Sequence, residues 1–282
     1  MSAKRKAGTC RIFLDFETTA LGDARVIDIV QISATSAEGA SFEQYVLPVP
    51  GRKMSPGASA VTGITLERLR GELCALDWKT VAAQFREWCA EQSQGRGLEV
   101  VAHNGTAFDF PLAVRALSSC GVLEGATLID SLTAFRALRP GLESYALSNL
   151  YMQLIPEAER EALVWHDASA DTRALAALWN VQGNTFAELA VGHGHSFEEV
   201  CVHARQLWRS TGPPPQCPSK ACAVLGLCLW TRVSNSKRNP GRLYSTCKEC
   251  NHFSWASPPT NGERSAEKAA PRLRPPRVQI AD

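Results

Sequence analysis

Apolar and polar residues alternate in several short segments of the chain, which is the pattern of half-buried β-strands. The first such segment covers residues 11–18, the second residues 26–34 and the third residues 41–47, and together they predict an antiparallel meander. Shorter apolar runs predict two further strands, at residues 99–102 and 127–130.

Helical periodicity replaces this alternation in the segments between and after the later strands. Asp77 is a suitable N-cap for the first of these helices, and Ser196 and Glu199 have the spacing of a capping box at the start of the last. Strands followed by alternating helices and strands are typical of a mixed α/β sheet with helices on its faces. The predicted helices cover residues 77–92, the region near 110–119, residues 171–189 and residues 196–209.

The composition is that of a folded chain that does not cross a membrane. The 282 residues are 45% hydrophobic and 21% charged, enough for one sizeable core and a small additional module. No apolar run approaches the roughly 20 residues of a membrane span. Asp15 and Glu17 interrupt the apolar run that a signal peptide would need. We therefore expect a nuclear or cytoplasmic protein with no membrane partner.

Charge and cysteine are unevenly distributed along the chain. Residues 217–282 carry a net charge of +7 and residues 1–216 a net charge of −5. This favours a catalytic body with a polyanion-binding appendage, although a solvated tail would have the same charge. Five of the ten cysteines lie within residues 217–250. Without a secretion signal, such a cluster indicates local metal binding rather than a disulfide framework.

The sequence Gly-Pro-Pro-Pro at residues 212–215 predicts a stiff linker between the acidic N-terminal part and the basic, cysteine-rich C-terminal part. We predict a catalytic body over residues 8–211, a proline-rich linker over 212–216 and a cysteine module over 217–256. Residues 257–282 are rich in proline, alanine and charge, and we predict that they form a disordered basic tail.

An acidic pair lies on the first predicted strand. Asp15 and Glu17 are two residues apart, so both carboxylates point to the same face. Such a pair on a half-buried strand favours a hard divalent cation such as Mg²⁺, the alternative being a solvent-facing edge strand. Asp109 begins a predicted helix, and His166 precedes Asp171 at the start of another. Four carboxylates and one imidazole thus lie at the ends of core elements.

These residues resemble the three motifs of the DEDDh 3′→5′ exonucleases. The first motif corresponds to residues 15–19 (DFETT), the second to residues 103–109 (HNGTAFD), and the third to His166 and Asp171. The resemblance covers about residues 10 to 180 and is strongest to the three-prime repair exonuclease group. One departure is Ala20, which stands where that group usually has glycine. Further resemblance lies in residues 55–65, 100–112, 128–132 and 144–151.

The resemblance implies an RNase H-like fold and two-metal phosphodiester hydrolysis. Two Mg²⁺ or Mn²⁺ ions would be held by Asp15, Glu17, Asp109 and Asp171. His166 would act as the general base that accepts a proton from the attacking water. The reaction would release nucleoside 5′-monophosphates. The three-prime repair group also forms edge-to-edge dimers, which allows a homodimer here, although nothing in the residues requires one.

The same resemblance implies contacts with the substrate. Glu17 and Thr18 would lie against the terminal nucleotide, Leu21 would act as an apolar wedge at the last base, and Phe108 would lie beside the scissile phosphate. His103 would line the site. Leu21 and Phe108 are equally compatible with ordinary core residues.

The cysteine module has the spacing of a zinc site. Cys247 and Cys250 form a CxxC pair, and Cys217 and Cys222 lie upstream. Four thiolates bind one Zn²⁺ tetrahedrally, and a module this small needs a bound metal ion to stabilise its fold. Cys228 is the alternative to Cys217 or Cys222.

Residues 239–247 and 250–255 resemble the GRF-type zinc finger, with Leu243 where that family usually has phenylalanine. The resemblance implies binding of single-stranded nucleic acid. Lys237, Arg238 and Arg242 would bind phosphates, and Tyr244 and Trp255 would stack on bases. The alternative is a purely structural finger in which Trp255 belongs to the core.

The favoured function is a metal-dependent 3′→5′ exodeoxyribonuclease that acts on single-stranded DNA or on the 3′ ends of duplex DNA. An exoribonuclease on the same scaffold is the alternative, because the acidic set contacts phosphates and metals rather than the sugar. A non-catalytic nucleic-acid-binding protein on a degenerate nuclease fold is less favoured, since all five motif residues are present.

Overall fold

A six-stranded mixed sheet forms the centre of the molecule, for which a computed structural model describes residues 8–234 and 242–256. The strand order is β3-β2-β1-β4-β5-β6. Strands β1 and β4 are parallel, as are β4 and β5, and the other neighbouring pairs are antiparallel. This confirms the predicted fold class. The strands are β1 (Thr9–Thr18), β2 (Ile29–Ser36), β3 (Ser41–Tyr45), β4 (Gly97–Ala102), β5 (Thr127–Asp130) and β6 (His195–Ser196).

Helices cover both faces of this sheet. The predicted capping box of α8 is present, with Ser196 and Glu199 bonded to each other's backbone. Helix α7 begins three residues before its predicted start, because the side chain of Asp167 caps it, and it is interrupted at Gly183, where φ is 77°. The helices are α1 (Pro56–Thr62), α2 (Leu66–Arg70), α3 (Trp78–Ser93), α4 (Asp109–Leu117), α5 (Ser131–Leu138), α6 (Leu147–Leu154), α7 (Ala168–Val191), α8 (Phe197–Thr211) and α9 (Lys220–Val224).

The two faces of β1 pack against different sets of helices. Ile12, Leu14 and Phe16 join the core that includes residues of α3, α4 and α8. Phe13 joins the opposite core, formed with α5, α6 and α7. Since side chains alternate along a strand, Asp15 follows Phe13 on the side of α7. The acidic residues of β1 are therefore directed toward the start of that helix.

A second, three-stranded antiparallel sheet lies in the cysteine module. Its order is β7-β8-β9, with β7 (Trp230–Val233), β8 (Leu243–Thr246) and β9 (Phe253–Trp255). Residues 212–215, which precede this module, contain no helix or strand. The predicted tail, residues 257–282, lies outside the described residues. Among the described helices, none is long and apolar enough to span a bilayer.

Candidate active site

Asp15 and Glu17 present their carboxylates at the C-terminal part of β1. Glu17 lies opposite Gln31 of β2, and the register shifts between Glu17 and Thr18. This irregularity ends the regular pairing of β1 with β2 at the point where the chain leaves the sheet. Asp15 and Glu17 flank the buried Phe16 and so share one face of the sheet, as their spacing predicts.

Asp109 reaches β1 from a tight turn. Asn104 has a left-handed φ of 60°, and a Cβ on Gly105 would lie 2.7 Å from the ring of Phe110. The glycine therefore allows the turn to pack on the first residues of α4. Asp109 is buried, and its Oδ1 accepts a hydrogen bond of 3.3 Å from the backbone N–H of Phe16. Its carboxylate is thereby fixed between the two acidic residues of β1.

His166 and Asp171 approach from the start of α7. His166 is exposed and has a left-handed φ of 64°. Glu17, His166 and Asp171 each offer one atom that could bind a metal, and these three atoms lie within 4.8 Å of one another. Asp171 Oδ1 is buried and has no hydrogen-bond partner in the described part of the chain. The structure thus brings the third predicted motif onto the first.

The carboxylates raise one another's pKa. Burial raises the pKa of Asp15 well above its usual range, and Asp109, Glu17 and Asp171 raise it further. Burial, followed by the charges of Asp171 and Asp109, raises the pKa of Glu17 to about 9. Burial raises the pKa of Asp171 to about 7, although a hydrogen bond from the backbone of His166 opposes this. Clustered carboxylate oxygens, one of them without a partner, fit hard divalent cations.

Two residues of this site were not identified from the sequence. Asp167 caps α7, and its charge contributes to the raised pKa of both Asp15 and Glu17. Gln31 Nε2 donates a hydrogen bond of 2.6 Å to Asp167 Oδ1. An aspartate just before a helix is a recognisable N-cap signal, and it points to Asp167. Gln31 carries no such signal, because its role depends on how β2 and α7 pack.

The predicted substrate contacts occupy the loop after β1 and the start of α4. Thr18 is buried, and its hydroxyl donates a hydrogen bond of 2.8 Å to the carbonyl oxygen of Ala20. Leu21 is 58% exposed, so it is not a core residue. Phe108 is half-buried, packs against the core of the sheet and contacts Trp230 of β7. The roles of Thr18, Leu21 and Phe108 in binding stay predictions.

Hydrogen bonds within the protein engage both ring nitrogens of His103, whose predicted role in lining the site stays a prediction. Its Nδ1 lies 2.9 Å from Ser131 Oγ, and its Nε2 lies 2.9 Å from the carbonyl oxygen of Tyr145. A carbonyl only accepts, so Nε2 carries the proton and Nδ1 accepts from the hydroxyl. Burial also lowers the pKa of His103, which favours this neutral form. Both nitrogens are engaged within the protein, and the ring holds α5 against the segment before α6.

The four cysteines favoured by the sequence form one cluster. Cys217 Sγ lies 3.4 Å from Cys250 Sγ, and Cys247 Sγ lies 3.7 Å from Cys222 Sγ. All four sulfur atoms lie within 4.8 Å of one another, and Cys228 is not among them. Zinc–sulfur bonds of about 2.3 Å in a tetrahedron place sulfur atoms roughly 3.8 Å apart. The cluster therefore fits a zinc ion.

The predicted nucleic-acid contacts of the cysteine module are only partly described. Lys237 and Arg238 lie outside the described residues. The guanidinium of Arg242 lies 4.0 Å from the ring centroid of Trp255. Trp255 is 37% exposed, which argues against its assignment to the core.

Comparison with known proteins identifies the family of this chain. The family model RNase_T, described as exonuclease, matches residues 12–179. The chain belongs to this exonuclease family. It is 26% identical over 255 residues to "Three-prime repair exonuclease 1" of Bos taurus, an alignment that spans 77% of this chain and 76% of the bovine protein. This exonuclease thus resembles a three-prime repair exonuclease over most of its length.

Two solved structures resemble this exonuclease in fold. The E. coli ExoI–ssDNA complex has a TM-score of 0.51 and 20% identity, covering 66% of this chain and 43% of that chain. A 3′-exonuclease described in the specific recognition of a histone mRNA stem-loop has a TM-score of 0.50 and 14% identity, covering 64% of this chain and 65% of that chain. At these identities the likeness concerns the fold alone.

Proposed function

We propose that this exonuclease removes nucleotides from the 3′ end of DNA, releases nucleoside 5′-monophosphates, and uses a GRF-type zinc finger to hold the single-stranded 3′ end. The observation that carries the proposal is the convergence of Glu17, His166 and Asp171 within 4.8 Å, beside Asp15 and Asp109. Four acidic groups and one imidazole at one edge of a sheet form a donor set that suits two-metal hydrolysis of a phosphodiester.

The four carboxylates are suited to hold two divalent ions. Asp15, Glu17, Asp109 and Asp171 would bind them, and the unpartnered Asp171 Oδ1 supports this because a buried carboxylate oxygen requires a partner. When bound, two Mg²⁺ or Mn²⁺ ions would supply the Lewis acidity that hydrolysis of a phosphodiester requires. Asp109 keeps its orientation through its bond to the Phe16 backbone.

His166 is suited to accept the proton of the attacking water. Its ring is exposed at the opening of the site, so water and substrate reach it. The left-handed backbone at His166 and the Asp167 cap that follows hold the ring beside Glu17 and Asp171. Leu21, exposed on the neighbouring loop, would separate the last base from the one before it.

DNA is proposed as the substrate, and the zinc finger as its second binding element. The likeness to a three-prime repair exonuclease over most of both chains supports DNA. The fold by itself does not select DNA, because solved structures that share it include complexes with ssDNA and with a histone mRNA stem-loop. The compact Cys217–Cys222–Cys247–Cys250 cluster and the exposed Trp255 support a zinc-bound, nucleic-acid-binding finger.

The test is digestion of 5′-labelled single-stranded DNA and RNA of one sequence, with Mg²⁺ and with EDTA. We expect a metal-dependent ladder of shortened products on DNA, and none from the Asp15→Asn variant. A ladder on RNA alone would replace the proposal with an exoribonuclease. Binding without cleavage of either strand would contradict the catalytic assignment.

A further inference from the structure

One face of the small sheet carries its aromatic side chains. Residues two apart on a strand, and residues directly opposed on neighbouring antiparallel strands, point to the same face. Tyr244 stacks on Phe253 with 5.5 Å between ring centroids, as this geometry requires. We call this surface the aromatic face. By the register of β7, β8 and β9, its members are Trp230, Arg232, Tyr244, Thr246, Phe253 and Trp255.

The inner end of the aromatic face contacts the residue that directly precedes Asp109. The ring of Trp230 lies 6.4 Å from that of Phe108, the residue directly before Asp109. The guanidinium of Arg232 lies 4.5 Å from the ring centroid of Trp230. These three side chains line a cleft of about 150 Å³ between the two modules. At the outer end, Phe253 is 51% exposed.

Several contacts fix the small sheet in this orientation. Arg25, on the loop that carries Leu21, donates hydrogen bonds to the carbonyl oxygens of Trp208 in α8 and of Gly212 at the start of the linker. Beyond the linker, Val224 O accepts a bond of 2.9 Å from Lys53 Nζ. Glu249 Oε1 accepts one of 3.1 Å from the backbone N–H of Gly57. The module is thus bonded to the large domain at Lys53 and Gly57, and Arg25 bonds the Leu21 loop to the end of α8.

We infer that the aromatic face is the path by which a single strand reaches the carboxylates, and that Trp230 and Arg232 guide the strand across the junction. This inference rests on the proposed function and adds the route of its substrate. A polynucleotide on the face passes from Trp255 over Tyr244 to Trp230, and then meets Phe108 beside Asp109.

The chemistry of the face selects unpaired bases. Aromatic rings stack on the faces of bases, which neighbouring base pairs cover within a duplex and which a single strand leaves accessible, while guanidinium groups bind phosphates. Arg232 supplies such a group within the path, and Arg242 supplies another at its outer end. The opposite face is unsuited to this task, because Thr231 and Ser245 are buried there and share a hydrogen bond of 2.9 Å.

The test compares full-length variants in binding and in activity. Trp230→Ala and Arg232→Gln, each combined with Asp15→Asn, are titrated with a fluorescent single-stranded DNA of about 20 nucleotides. Loss of one stacking or phosphate contact predicts roughly 10-fold weaker binding. Trp230→Phe, which keeps a ring, should restore most of the affinity. Lys220→Ala removes a cation from an exposed position outside the cleft and is the matched control.

The same substitutions with Asp15 intact are then assayed on the strand and on thymidine 5′-(p-nitrophenyl phosphate). The ratio of kcat/KM for the strand to that for the ester should fall by about the same 10-fold factor. Binding by Trp230→Ala equal to that of Lys220→Ala would overturn the inference. A wild-type protein that binds the strand but hydrolyses neither substrate would refute the proposed function alone, and the titration would still decide the path.

Discussion

Gln31 of β2 and Asp167 at the start of α7 are joined by a hydrogen bond of 2.6 Å between Nε2 and Oδ1. The same amide accepts a hydrogen bond of 3.3 Å at its Oε1 from the backbone N–H of Ala168. Both contacts lie directly after His166 in the chain. The fold thereby ties the segment that carries His166 to the strand opposite Glu17.

The first prediction follows from this bond. Gln31→Ala should lower kcat by about 10- to 100-fold, the usual cost of losing an outer partner of a metal or catalytic group. The measurement is single-turnover hydrolysis of a labelled strand at saturating protein. Gln153→Ala, at an exposed position of α6, is the matched control and should retain wild-type turnover. Equal rates in the two variants would exclude a positioning role for Gln31.

The second prediction concerns His166 itself. His166→Ala should lose at least about 100-fold in rate, because no other imidazole replaces the proposed general base in this cluster. The exposed ring contributes little to the core, so the melting temperature should stay close to that of the wild type. Fluorescence anisotropy should show retained affinity for single-stranded DNA. Near-wild-type turnover would refute the assignment.

The third prediction concerns pH and stability without metal. A carboxyl group whose pKa is higher in the folded than in the unfolded chain binds protons more tightly when folded, so protonation stabilises the fold. Glu17, with a pKa near 9, and Asp171, with one near 7, both belong to this class. Without added Mg²⁺ or Mn²⁺ the melting temperature should therefore rise as the pH falls from about 9 toward about 5.

Asp15→Asn provides the matching substitution for this prediction. Burial and four neighbouring carboxylates raise the pKa of Asp15, so neutralising it should raise the melting temperature without added Mg²⁺ at about pH 8. Mg²⁺ should stabilise the wild type more than this variant. A variant that melts below the wild type without added Mg²⁺ would show that the clustered charges do not destabilise the fold.

The fourth prediction concerns the loop after β1. Leu21→Ala should raise KM for a DNA 3′ end by roughly 10-fold, because the variant loses about three apolar carbons from the proposed wedge. The melting temperature should not change, since Leu21 is 58% exposed. Val164→Ala, at a position that is 75% exposed, controls for the loss of surface apolar area. An unchanged KM would refute the proposed role of Leu21 as a wedge.

The fifth prediction separates the cysteines. Purified protein should contain one zinc ion per chain, Cys247→Ser should lose it, and Cys228→Ser should keep it. The backbone of His252 lowers the pKa of Cys250 to about 7, which favours the thiolate that zinc requires. Metal analysis after gel filtration is the measurement. Zinc loss in both variants would place Cys228 among the ligands.

Much of the sheet and the motif residues could be predicted because both follow a periodic pattern. Asp15 and Glu17 continue the alternation of β1, and Asp109 begins a helix as expected. Helices α1, α2, α5 and α6 were not predicted, because eight residues or fewer carry little periodicity. Strand β2 begins at Ile29 rather than at residue 26, since Thr19 bonds to Asp28 within the preceding loop.

The remaining features depend on contacts between segments far apart in the chain. The environment of His103 is set by Ser131 and by the backbone of Tyr145, and no local pattern links these residues. The same holds for the contact between Phe108 and Trp230, which exists only because the small sheet packs on the large domain. Sequence spacing indicated the four clustered cysteines, but it did not indicate that the small sheet packs on the large domain.

The position of Arg25 determines where the exonuclease body can be cut for protein engineering. Its guanidinium pairs with Asp23 and caps the end of α8 through the carbonyl oxygen of Gly212. A truncation that stops at Ala204, the last buried residue of α8, would remove the carbonyl oxygens of Trp208 and Gly212 and leave Arg25 without its contacts to this helix. A fragment used for crystallisation or fusion should therefore extend at least through Gly212.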